Sequence, residues 1–298
     1  MINNFNDIIN EAVKNRKRKI AVAGAEGEAV LTALNIAQKK GIAEPVLVGD
    51  KDKILRIADK NNINLENIEI INETDEMLCA EKAVEIVDSG KASALMKGKV
   101  STPSLLKAVL NKKFNFRTGR LLSHVSLLEI PNYDKLLIIT DGGMVIYPTL
   151  EQKKEIIINA IEVANKLGVE KPKIAVLAAI EKVSPSMVET EDAKALEDMA
   201  KSGEFGNVIL EGPMAMDVAM SKEAAEIKGI ESKVSGDPDI LIVPNIACGN
   251  ILAKGLIYLA QSKIGGIISG AQKPVILLSR ADNADTKLNS IAFGVVAS

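Results

Sequence analysis

Short apolar runs alternate with longer amphipathic segments along almost the whole chain. The apolar runs predict strands at residues 19–23, 45–48, 68–71, 94–96, 121–128, 136–140, 174–178, 208–210, 240–243 and 275–278. Apolar residues spaced by three and four predict helices that include residues 28–40, 75–88, 150–167, 191–201, 250–260 and 284–297. The predicted strands are apolar at consecutive positions, which is typical of a parallel sheet covered on both faces. The pattern therefore predicts an α/β fold built from repeated strand–helix–strand units.

The length of the chain predicts its domain organisation. A chain of 298 residues suits two compact α/β domains or one large domain. No low-complexity linker, charge block or short repeat marks a boundary, so a crossing between domains must use an ordinary loop such as residues 130–132. The last helix could return to the first domain. We therefore expect a first α/β domain of residues 1–131 and 284–298, and a second of residues 132–283.

Composition excludes several classes of function. The formal charge is −2, so the chain lacks the basic surplus on which binding to a phosphate backbone depends. Aromatic residues make up 3% of the chain, too few for base-stacking platforms. Cys79 and Cys248 form no CxxC motif, which indicates a reducing compartment. The polar N-terminus lacks the apolar core of a signal peptide. We expect a cytoplasmic protein that binds neither nucleic acid nor membrane.

The chain contains one histidine, and this limits metal and triad chemistry. A site with several histidine ligands is excluded, and a Ser-His-Asp triad would have to use His124. His124 lies in the predicted strand 121–128, where a structural or site-adjacent role is the alternative. No acidic cluster has the spacing of a metal site, so no metal is expected.

Polar residues collect where the predicted strands end. In open parallel sheets, ligands bind at the carboxyl ends of the strands. The residues that follow the strands here are Lys97-Gly98-Lys99, Thr140-Asp141-Gly142, Glu211-Gly212-Pro213, Pro244-Asn245 and Ser279-Arg280. Charged or amide side chains beside glycine suit a site that needs close approach to the backbone. The turn chemistry of any strand–helix connection is the alternative for each one.

Two segments favour anion binding. In MKGKVSTPSL (residues 96–105), Thr102 is a predicted N-cap and Pro103 a predicted first helical residue, so a helix N-terminus would face Lys97 and Lys99. Ser279-Arg280 offers a hydroxyl and a guanidinium fork for phosphate or an oxyanion. Capping alone also explains the first segment.

Asp285 and Arg117 are further candidates for a role in this chemistry. Asp285 opens the last helix and could act as a base, although capping and the helix dipole also explain an aspartate there. Arg117 is a second cation in a glycine-containing loop, with a non-specific exposed arginine as the alternative. The candidate substrate- and phosphate-binding residues are Lys97, Ser101, Thr102, Arg117, Asp141 and Gly142.

Four sequence blocks carry a resemblance to a known family. They are TDGGMVIYPTLEQK (140–153), EGPMAMDVAMSKEAAEIKGI (211–230), LIVPNIACGNILAKGL (241–256) and PVILLSRADNADTKLNSIA (274–292). Together they resemble the phosphate acetyltransferase/phosphate butyryltransferase family. RTGRLLSHVS (117–126) and the chain length look closer to the butyryltransferase branch than to the longer acetyltransferases.

The resemblance implies a fold and a reaction. The expected fold is two α/β domains with mostly parallel sheets flanked by helices, isopropylmalate-dehydrogenase-like, with an active cleft between the domains and assembly into a homodimer or higher homo-oligomer. The expected reaction moves a short-chain acyl group reversibly between coenzyme A and inorganic phosphate, with butyryl favoured. It proceeds by direct transfer in a ternary complex, with no metal, no covalent acyl-enzyme and no bound cofactor, coenzyme A being a substrate.

The resemblance also assigns residues. Ser279 and Arg280 match a catalytic Ser-Arg pair of the family's acetyltransferases. The family's aspartate base aligns without gaps with Thr286, and Asp285 stands beside it. The candidate coenzyme A-binding residues are Asn245, Gly249 and Asn250. Asn245 and Cys248 depart from the more acidic family pattern at their positions.

These residues suggest a mechanism, and three alternative functions stay open. Asp285 would help to deprotonate the thiol of coenzyme A, for which burial would have to raise its pKa. Ser279 and Arg280 would stabilise the oxyanion and the departing phosphate. The alternatives are a phosphate acetyltransferase, a metal- and nicotinamide-dependent hydroxyacid dehydrogenase of the same fold, and a non-catalytic acyl-CoA-binding homologue.

Overall fold

The computed structural model describes residues 2–14, 18–277 and 282–298. Its strands are β1 (Lys19–Ala23), β2 (Glu44–Gly49), β3 (Glu69–Asn72), β4 (Ala94–Lys97), β5 (Ser123–Glu129), β6 (Leu137–Thr140), β7 (Lys173–Leu177), β8 (Ile209–Met214), β9 (Ile240–Ile242), β10 (Lys263–Ser269) and β11 (Val275–Ile276). Its helices are α1 (Phe5–Lys14), α2 (Glu28–Lys39), α3 (Lys51–Lys60), α4 (Glu76–Asp88), α5 (Thr102–Val109), α6 (Leu150–Lys166), α7 (Val188–Lys201), α8 (Met216–Met220), α9 (Lys222–Ile227), α10 (Ile246–Leu259) and α11 (Ala284–Val296).

The chain divides into two compact units. The first unit comprises Asn4–Arg120 and Ile264–Ser298, and the second comprises Leu121–Lys263 with the residues before Asn4. Both units have strands flanked by helices and a mostly parallel sheet, so the predicted α/β fold is confirmed.

The unit boundaries differ from the division expected from sequence. Residues 123–129 belong to the second unit because β5 pairs antiparallel with β6, with Ser126 opposite Ile139. Residues 130–132 therefore form the turn between these two strands rather than a domain crossing. Residues 264–277 belong to the first unit because β10 pairs with β11 and β11 pairs with β4.

The sheet of the first unit has the order β3-β2-β1-β4-β11-β10. The pairs among β1, β2, β3, β4 and β11 are parallel, and β10 runs antiparallel to β11. Four consecutive residues of β1, Ile20–Ala23, are fully buried. Since successive side chains of a strand point to opposite faces, both faces of β1 are covered. The helix α11 packs against α1 and α2, and α4 packs against β1, β2 and α5.

The sheet of the second unit has the order β5-β6-β9-β7-β8. The strands β6, β9, β7 and β8 are parallel, and β5 runs antiparallel to β6. The helix α6 packs on β5 and β6, and α7 packs on β7 and β8. Successive parallel strands thus deliver the loops after β6, β7 and β9 to one end of the sheet.

Candidate active site

The first unit has its topological switch point between β1 and β4. The chain passes from β1 to β2 and β3 on one side, and then returns to β4 on the other side of β1. Loops leave such a point in opposite directions, and the gap between them is where ligands bind in open α/β sheets. The loop after β4 carries the predicted anion-binding segment.

Two glycines let the loops after β1 and β4 touch. The amide of Gly98 donates to the carbonyl of Ala23 at 2.8 Å, and the amide of Lys99 donates to the carbonyl of Gly24 at 2.6 Å. A Cβ at Gly98 would lie 2.1 Å from the Gly24 oxygen. Position 98 therefore has room for glycine alone.

The two lysines of this loop lie in different surroundings. Lys97 is buried, and its ammonium donates to the carbonyls of Gly98 at 3.2 Å and Val100 at 3.1 Å. Lys99 is exposed. In this arrangement Lys97 fixes the shape of the loop, whereas Lys99 faces solvent.

Helix α5 begins one residue earlier than predicted. Ser101 is its N-cap and accepts a hydrogen bond from the Ser104 amide at 3.3 Å, so the prediction of Thr102 as N-cap was wrong. Ser101 has the extended backbone of a cap, and Thr102 is the first helical residue. The Ser101 amide also donates to the carboxylate of Glu76 at 2.8 Å, which places a negative charge beside this helix end.

The remaining first-unit candidates are Arg117, Asp285, Ser279 and Arg280. Arg117 is exposed and forms an isolated antiparallel bridge with Ala271. Ser279 and Arg280 lie outside the described residues. Asp285 is exposed in the first turn of α11, behind the N-cap Asn283, so it lacks the burial that the sequence-based mechanism required.

Lys287 is a buried cation in α11 that sequence reasoning did not select. Its ammonium donates to the carbonyl of Asp282. Burial lowers the pKa of Lys287, and the charge of Asp282 partly offsets that effect. This contact ties the start of α11 to the segment that precedes it.

In the second unit, the carboxylate of Asp141 holds the loop after β6. One oxygen accepts from the amides of Gly143 at 2.7 Å and Met144 at 2.8 Å. The other accepts from Val145 at 3.2 Å and from the His124 amide at 3.1 Å. Asp141 is buried, so these four bonds give it a loop-shaping role. Substrate binding by Asp141 stays a prediction.

His124 lies beside this loop. The Cβ of a residue larger than glycine at position 143 would lie 2.9 Å from its ring. The ring Nδ1 is 3.3 Å from the hydroxyl of Ser126. This placement agrees with a site-adjacent histidine.

The coenzyme A-binding candidates meet the phosphate-binding candidate Gly142. A Cβ at Gly249 would lie 2.7 Å from the Cα of Gly142, which shows how closely α10 approaches the loop after β6. The side-chain amide of Asn250 donates to the Gly142 carbonyl at 3.4 Å. Asn245 is the N-cap of α10 and accepts from the Cys248 amide at 3.0 Å. The structure thus brings Asp141, Gly142, Asn245, Gly249 and Asn250 together.

A cavity of ≈ 590 Å³ lies next to these residues in the second unit. It opens at the carboxyl ends of β7 and β9, which is the switch point of this sheet because the chain goes from β7 to β8 and returns to β9 on the other side. Its apolar lining includes Leu150, Leu177, Val188, Met216, Val243 and Leu252. Its polar lining includes Thr149, Lys153, Glu189, Asp192, Asn245 and Cys248.

A buried ion pair forms part of the cavity wall. The ammonium of Lys153 in α6 lies 2.7 Å from the carboxylate of Asp192 in α7, and the side chains are 5% and 17% exposed. Sequence reasoning missed this pair. The sequence did contain a signal that Lys153 is buried. Ile156 and Ile157 follow it by three and four residues, which places Lys153 on the apolar face of α6.

A larger cavity of ≈ 750 Å³ runs beside the edge strand β8. Two of its lysines, Lys194 and Lys201, both pair with Glu197 at 2.8 Å. It lies along a strand rather than at the carboxyl ends of the sheet, so it is a weaker candidate for the active site.

The described part of the chain holds neither a metal-binding cluster nor a membrane-spanning helix. Within residues 2–14, 18–277 and 282–298, no group of three or more His, Cys, Asp or Glu side chains is arranged to hold a metal ion. In the same part of the chain, no helix has the length and apolar character needed to cross a membrane.

The chain is similar over nearly its whole length to phosphate acyltransferases of known sequence and structure. The family model described as "Phosphate acetyl/butaryl transferase" matches residues 4–82 and 78–295. The chain is 44% identical to the phosphate butyryltransferase of Clostridium acetobutylicum over 99% of this chain and 98% of that protein. It is 42% identical to the phosphate acetyltransferase of Thermotoga maritima over 96% of this chain and 97% of that one. A branched-chain phosphotransacylase structure from Enterococcus faecalis matches with a TM-score of 0.84 and 34% identity, covering 94% of this chain and 98% of the other.

Proposed function

Because the chain belongs to the phosphate acetyl/butyryltransferase family, we propose that it moves a short-chain acyl group reversibly between coenzyme A and inorganic phosphate. The observation that carries this proposal is the 44% identity to a phosphate butyryltransferase over 99% of the chain. Butyryl is the acyl group we favour. An acetyl preference is the second candidate, since a phosphate acetyltransferase is 42% identical.

The proposed transfer is direct. In the direction of acyl phosphate synthesis, a phosphate oxygen attacks the thioester carbonyl, the carbon–sulfur bond breaks, and coenzyme A leaves as the thiolate, which takes up a proton. In the reverse direction the thiolate attacks and phosphate leaves. Holding both substrates together supplies much of the rate, because it removes the entropy cost of a collision.

We assign residues to this reaction as part of the proposal. Ser279 and Arg280 stabilise the oxyanion and the phosphate, since a guanidinium matches phosphate oxygens as a fixed fork. Asp285 serves as the proton acceptor for the thiol. Asp285 is exposed in α11, and the loss of thiol release expected in Asp285→Asn tests this assignment.

Binding roles follow from position at the strand ends. Phosphate is assigned to the loop after β4 through Lys97, Ser101 and Thr102, with Arg117, Asp141 and Gly142 as further candidates. Coenzyme A is assigned to Asn245, Gly249 and Asn250 at the N-terminal half of α10. The coenzyme A assignment is supported by the close packing of Gly249 and Asn250 against the backbone of Gly142.

The proposal extends to assembly and location. We propose a cytoplasmic homodimer or higher homo-oligomer. Support for assembly comes from α10, where Ile251, Tyr258 and Leu259 are 72%, 70% and 88% exposed, an unusual amount of apolar surface on one helix. Light scattering behind a sizing column tests the assembly: Leu259→Lys should reduce the measured mass if this helix forms the interface.

A panel of acyl-CoA substrates tests the function. Release of free thiol is measured with acetyl- through hexanoyl-CoA, with and without phosphate, in the absence of added metal. The proposal predicts release that depends on phosphate and is fastest with butyryl-CoA; release fastest with acetyl-CoA would support the acetyltransferase instead. Binding without release would identify an acyl-CoA-binding homologue, and turnover of a hydroxyacid that needs NAD and a divalent metal would identify a dehydrogenase.

A further inference from the structure

Helix α10 presents a continuous apolar face that its own chain leaves uncovered. The residues of this face recur at spacings of three and four, and none of them is buried; we call them the α10 stripe, namely Cys248, Ile251, Leu252, Gly255, Tyr258 and Leu259. We propose that the α10 stripe packs antiparallel against the same stripe of a second copy of the chain, with the two helices crossing at Gly255. This inference rests on the assembly in the proposed function and specifies its register and the residues that meet.

The glycine in the middle of the stripe is the first observation that points to a second helix. Glycine is the least favourable helix residue after proline, so a glycine inside a helix needs a packing reason. Gly249 has one, since a Cβ there would lie 2.7 Å from the Cα of Gly142. A Cβ at Gly255 would meet no atom within 4 Å in the part of the chain that the structure describes. The close backbone approach that Gly255 permits is therefore open to a helix of another molecule.

The order of residues in the stripe is symmetric about Gly255. Ile251 and Leu259 lie four residues on either side of it. Leu252 and Tyr258 lie three residues on either side. In an antiparallel pair centred on Gly255, Ile251 of each copy therefore meets Leu259 of the other, and Leu252 meets Tyr258. A two-fold interface needs a surface that is complementary to itself, and this register pairs apolar residues with apolar residues.

Exposed apolar residues outside α10 extend the same surface. Tyr147 and Val188 are exposed and line the ≈ 590 Å³ cavity together with two members of the stripe, Cys248 and Leu252. Ile146 is also exposed, and its carbonyl accepts from the first helical amide of α10 at 3.1 Å. The apolar surface thus continues from the stripe across the mouth of the cavity.

The extent of this surface suits a stable dimer. At about 200 Å² for a fully exposed large apolar residue, roughly 800–900 Å² is offered by the exposed parts of Ile146, Tyr147, Val188, Ile251, Tyr258 and Leu259. A standard protein–protein interface buries about 800 Å² on each partner. Lys254 is the one charged residue of α10, and it lies outside the stripe. A helix of this composition is built for burial rather than for contact with water.

The register also supplies an occupant for the mouth of the cavity. Leu252 lines the cavity, and Leu252 meets Tyr258 of the partner subunit in this register. The lining near Leu252 combines the apolar Val188 with the polar Asn245. A mixed wall of this kind suits tyrosine, because its ring is apolar and its hydroxyl needs a hydrogen-bond partner. The second copy therefore completes the wall of a cavity that the single chain leaves open.

Disulfide cross-linking tests the register. The parent protein is Cys248→Ser, which lacks the exposed thiol, and the remaining Cys79 is buried. Gly255→Cys in this parent should form a disulfide-linked dimer on oxidation with copper phenanthroline, because the two thiols meet at the crossing point. Ile251→Cys and Leu259→Cys should each fail to link alone, since like residues lie about 12 Å apart along the helices. When the two variants are co-expressed, they should link to each other.

The mass of the natural protein separates failure of the register from failure of the assembly. A dimer by light scattering in which Gly255→Cys does not link, or in which Ile251→Cys links to itself, would overturn the register. A monomer would overturn the inference together with the proposed assembly. Neither result bears on acyl transfer, which the release of thiol measures independently.

The strength of association tests the contacts. Gly255→Leu should raise the Kd of the dimer by at least about 100-fold, because its side chain enters the space that the second helix needs. The same space is open in the single chain, so circular dichroism should show an unchanged fold. Tyr258→Ala should raise the Kd by at least about 100-fold as well, since each dimer loses two aromatic anchors.

The control for both variants is Ile227→Ala in α9, an exposed apolar residue outside the stripe. Sedimentation equilibrium should give this control the Kd of the natural protein. An unchanged Kd in Gly255→Leu, or the same rise in Ile227→Ala as in Tyr258→Ala, would overturn the inference.

Discussion

At the scale of single residues, glycine decides how closely the loops of each unit approach one another. Gly98 lies against the carbonyl of Gly24 in the first unit, and Gly249 lies against Gly142 in the second. In both units the contact is at the carboxyl ends of parallel strands, where a substrate would bind. Close backbone packing thus fixes the positions of the neighbouring side chains.

The first prediction concerns Gly98→Ala. The added Cβ would lie 2.1 Å from a backbone oxygen, so the loop must shift, and we expect a loss of about 1–3 kcal/mol in the free energy of unfolding. Urea denaturation measures this loss. The matched control is Gly27→Ala, where the nearest atom to the new Cβ is a side-chain methyl group at 3.4 Å. Equal stability of the two variants would contradict the packing argument.

A second residue-scale prediction concerns the pH dependence of Cys79. Burial raises the pKa of this thiol from 9.0 to about 11, so the folded state keeps the proton that the unfolded state loses first. Its contribution to stability is present below pH 9 and is lost as the pH rises through about 11. The free energy of unfolding should therefore fall more between pH 8 and 10.5 in the natural protein than in Cys79→Ala, as urea titrations would show. Parallel pH profiles would speak against the effect.

Arg280 carries the third prediction. Arg280→Ala should lower kcat for phosphate-dependent thiol release by about 10²–10³-fold, because a donor to developing charge is lost. Circular dichroism should show a fold like that of the natural protein. Near-normal turnover would remove Arg280 from the proposed mechanism.

At the scale of elements, sequence pattern works best where strands are buried on both faces. The strands β1, β4 and β7 were predicted within one residue of their observed bounds. Their runs of consecutive apolar residues are typical of strands that are buried on both faces of a sheet. Strand β10 was missed because Gly265 and Gly266 interrupt its apolar run. The structure explains Gly265, where a Cβ would lie 3.1 Å from the ring of Phe5.

Helix starts were less predictable than strands. The helix α10 begins at Ile246 with Asn245 as its cap, whereas the periodicity placed its start at residue 250. Asn245, Gly249 and Asn250 could be proposed together as coenzyme A-binding residues, because they lie in one sequence block, residues 241–256, that resembles the family. The burial of Lys153 could be inferred from its place on the apolar face of α6, but its partner could not, because Asp192 lies 39 residues further along the chain in another helix.

That ion pair yields the fourth prediction. Lys153→Met leaves a largely buried carboxylate without its partner and should cost about 3 kcal/mol in the free energy of unfolding, and Asp192→Asn should also destabilise the protein. The double variant should be more stable than the sum of the two losses predicts, because neither charge is then left alone. Chemical denaturation of all four proteins completes the cycle. Simple additivity would mean that the pair is not coupled.

At the scale of the whole molecule, the chain leaves and re-enters the first unit. The segment Ile264–Ser298 returns to it and supplies β11, which pairs with β4, and α11, which packs against α1 and α2. The sequence predicted that the C-terminal segment returns to the first unit but placed the return at residue 284. The earlier return could not be seen, because the pairing of β11 with the distant strand β4 leaves no local signal in the sequence. The loops at the strand ends were predictable because parallel sheets place them at one end by rule.

Acyl transfer from coenzyme A to phosphate is best tested by following both products of the reaction. The purified, metal-free protein is incubated with butyryl-CoA and ³²P-labelled phosphate, and labelled butyryl phosphate and free coenzyme A are quantified together. We expect equal amounts of the two products, with no thiol released when phosphate is omitted. Thiol release without labelled acyl phosphate, or no release with folded protein and both substrates present, would contradict it.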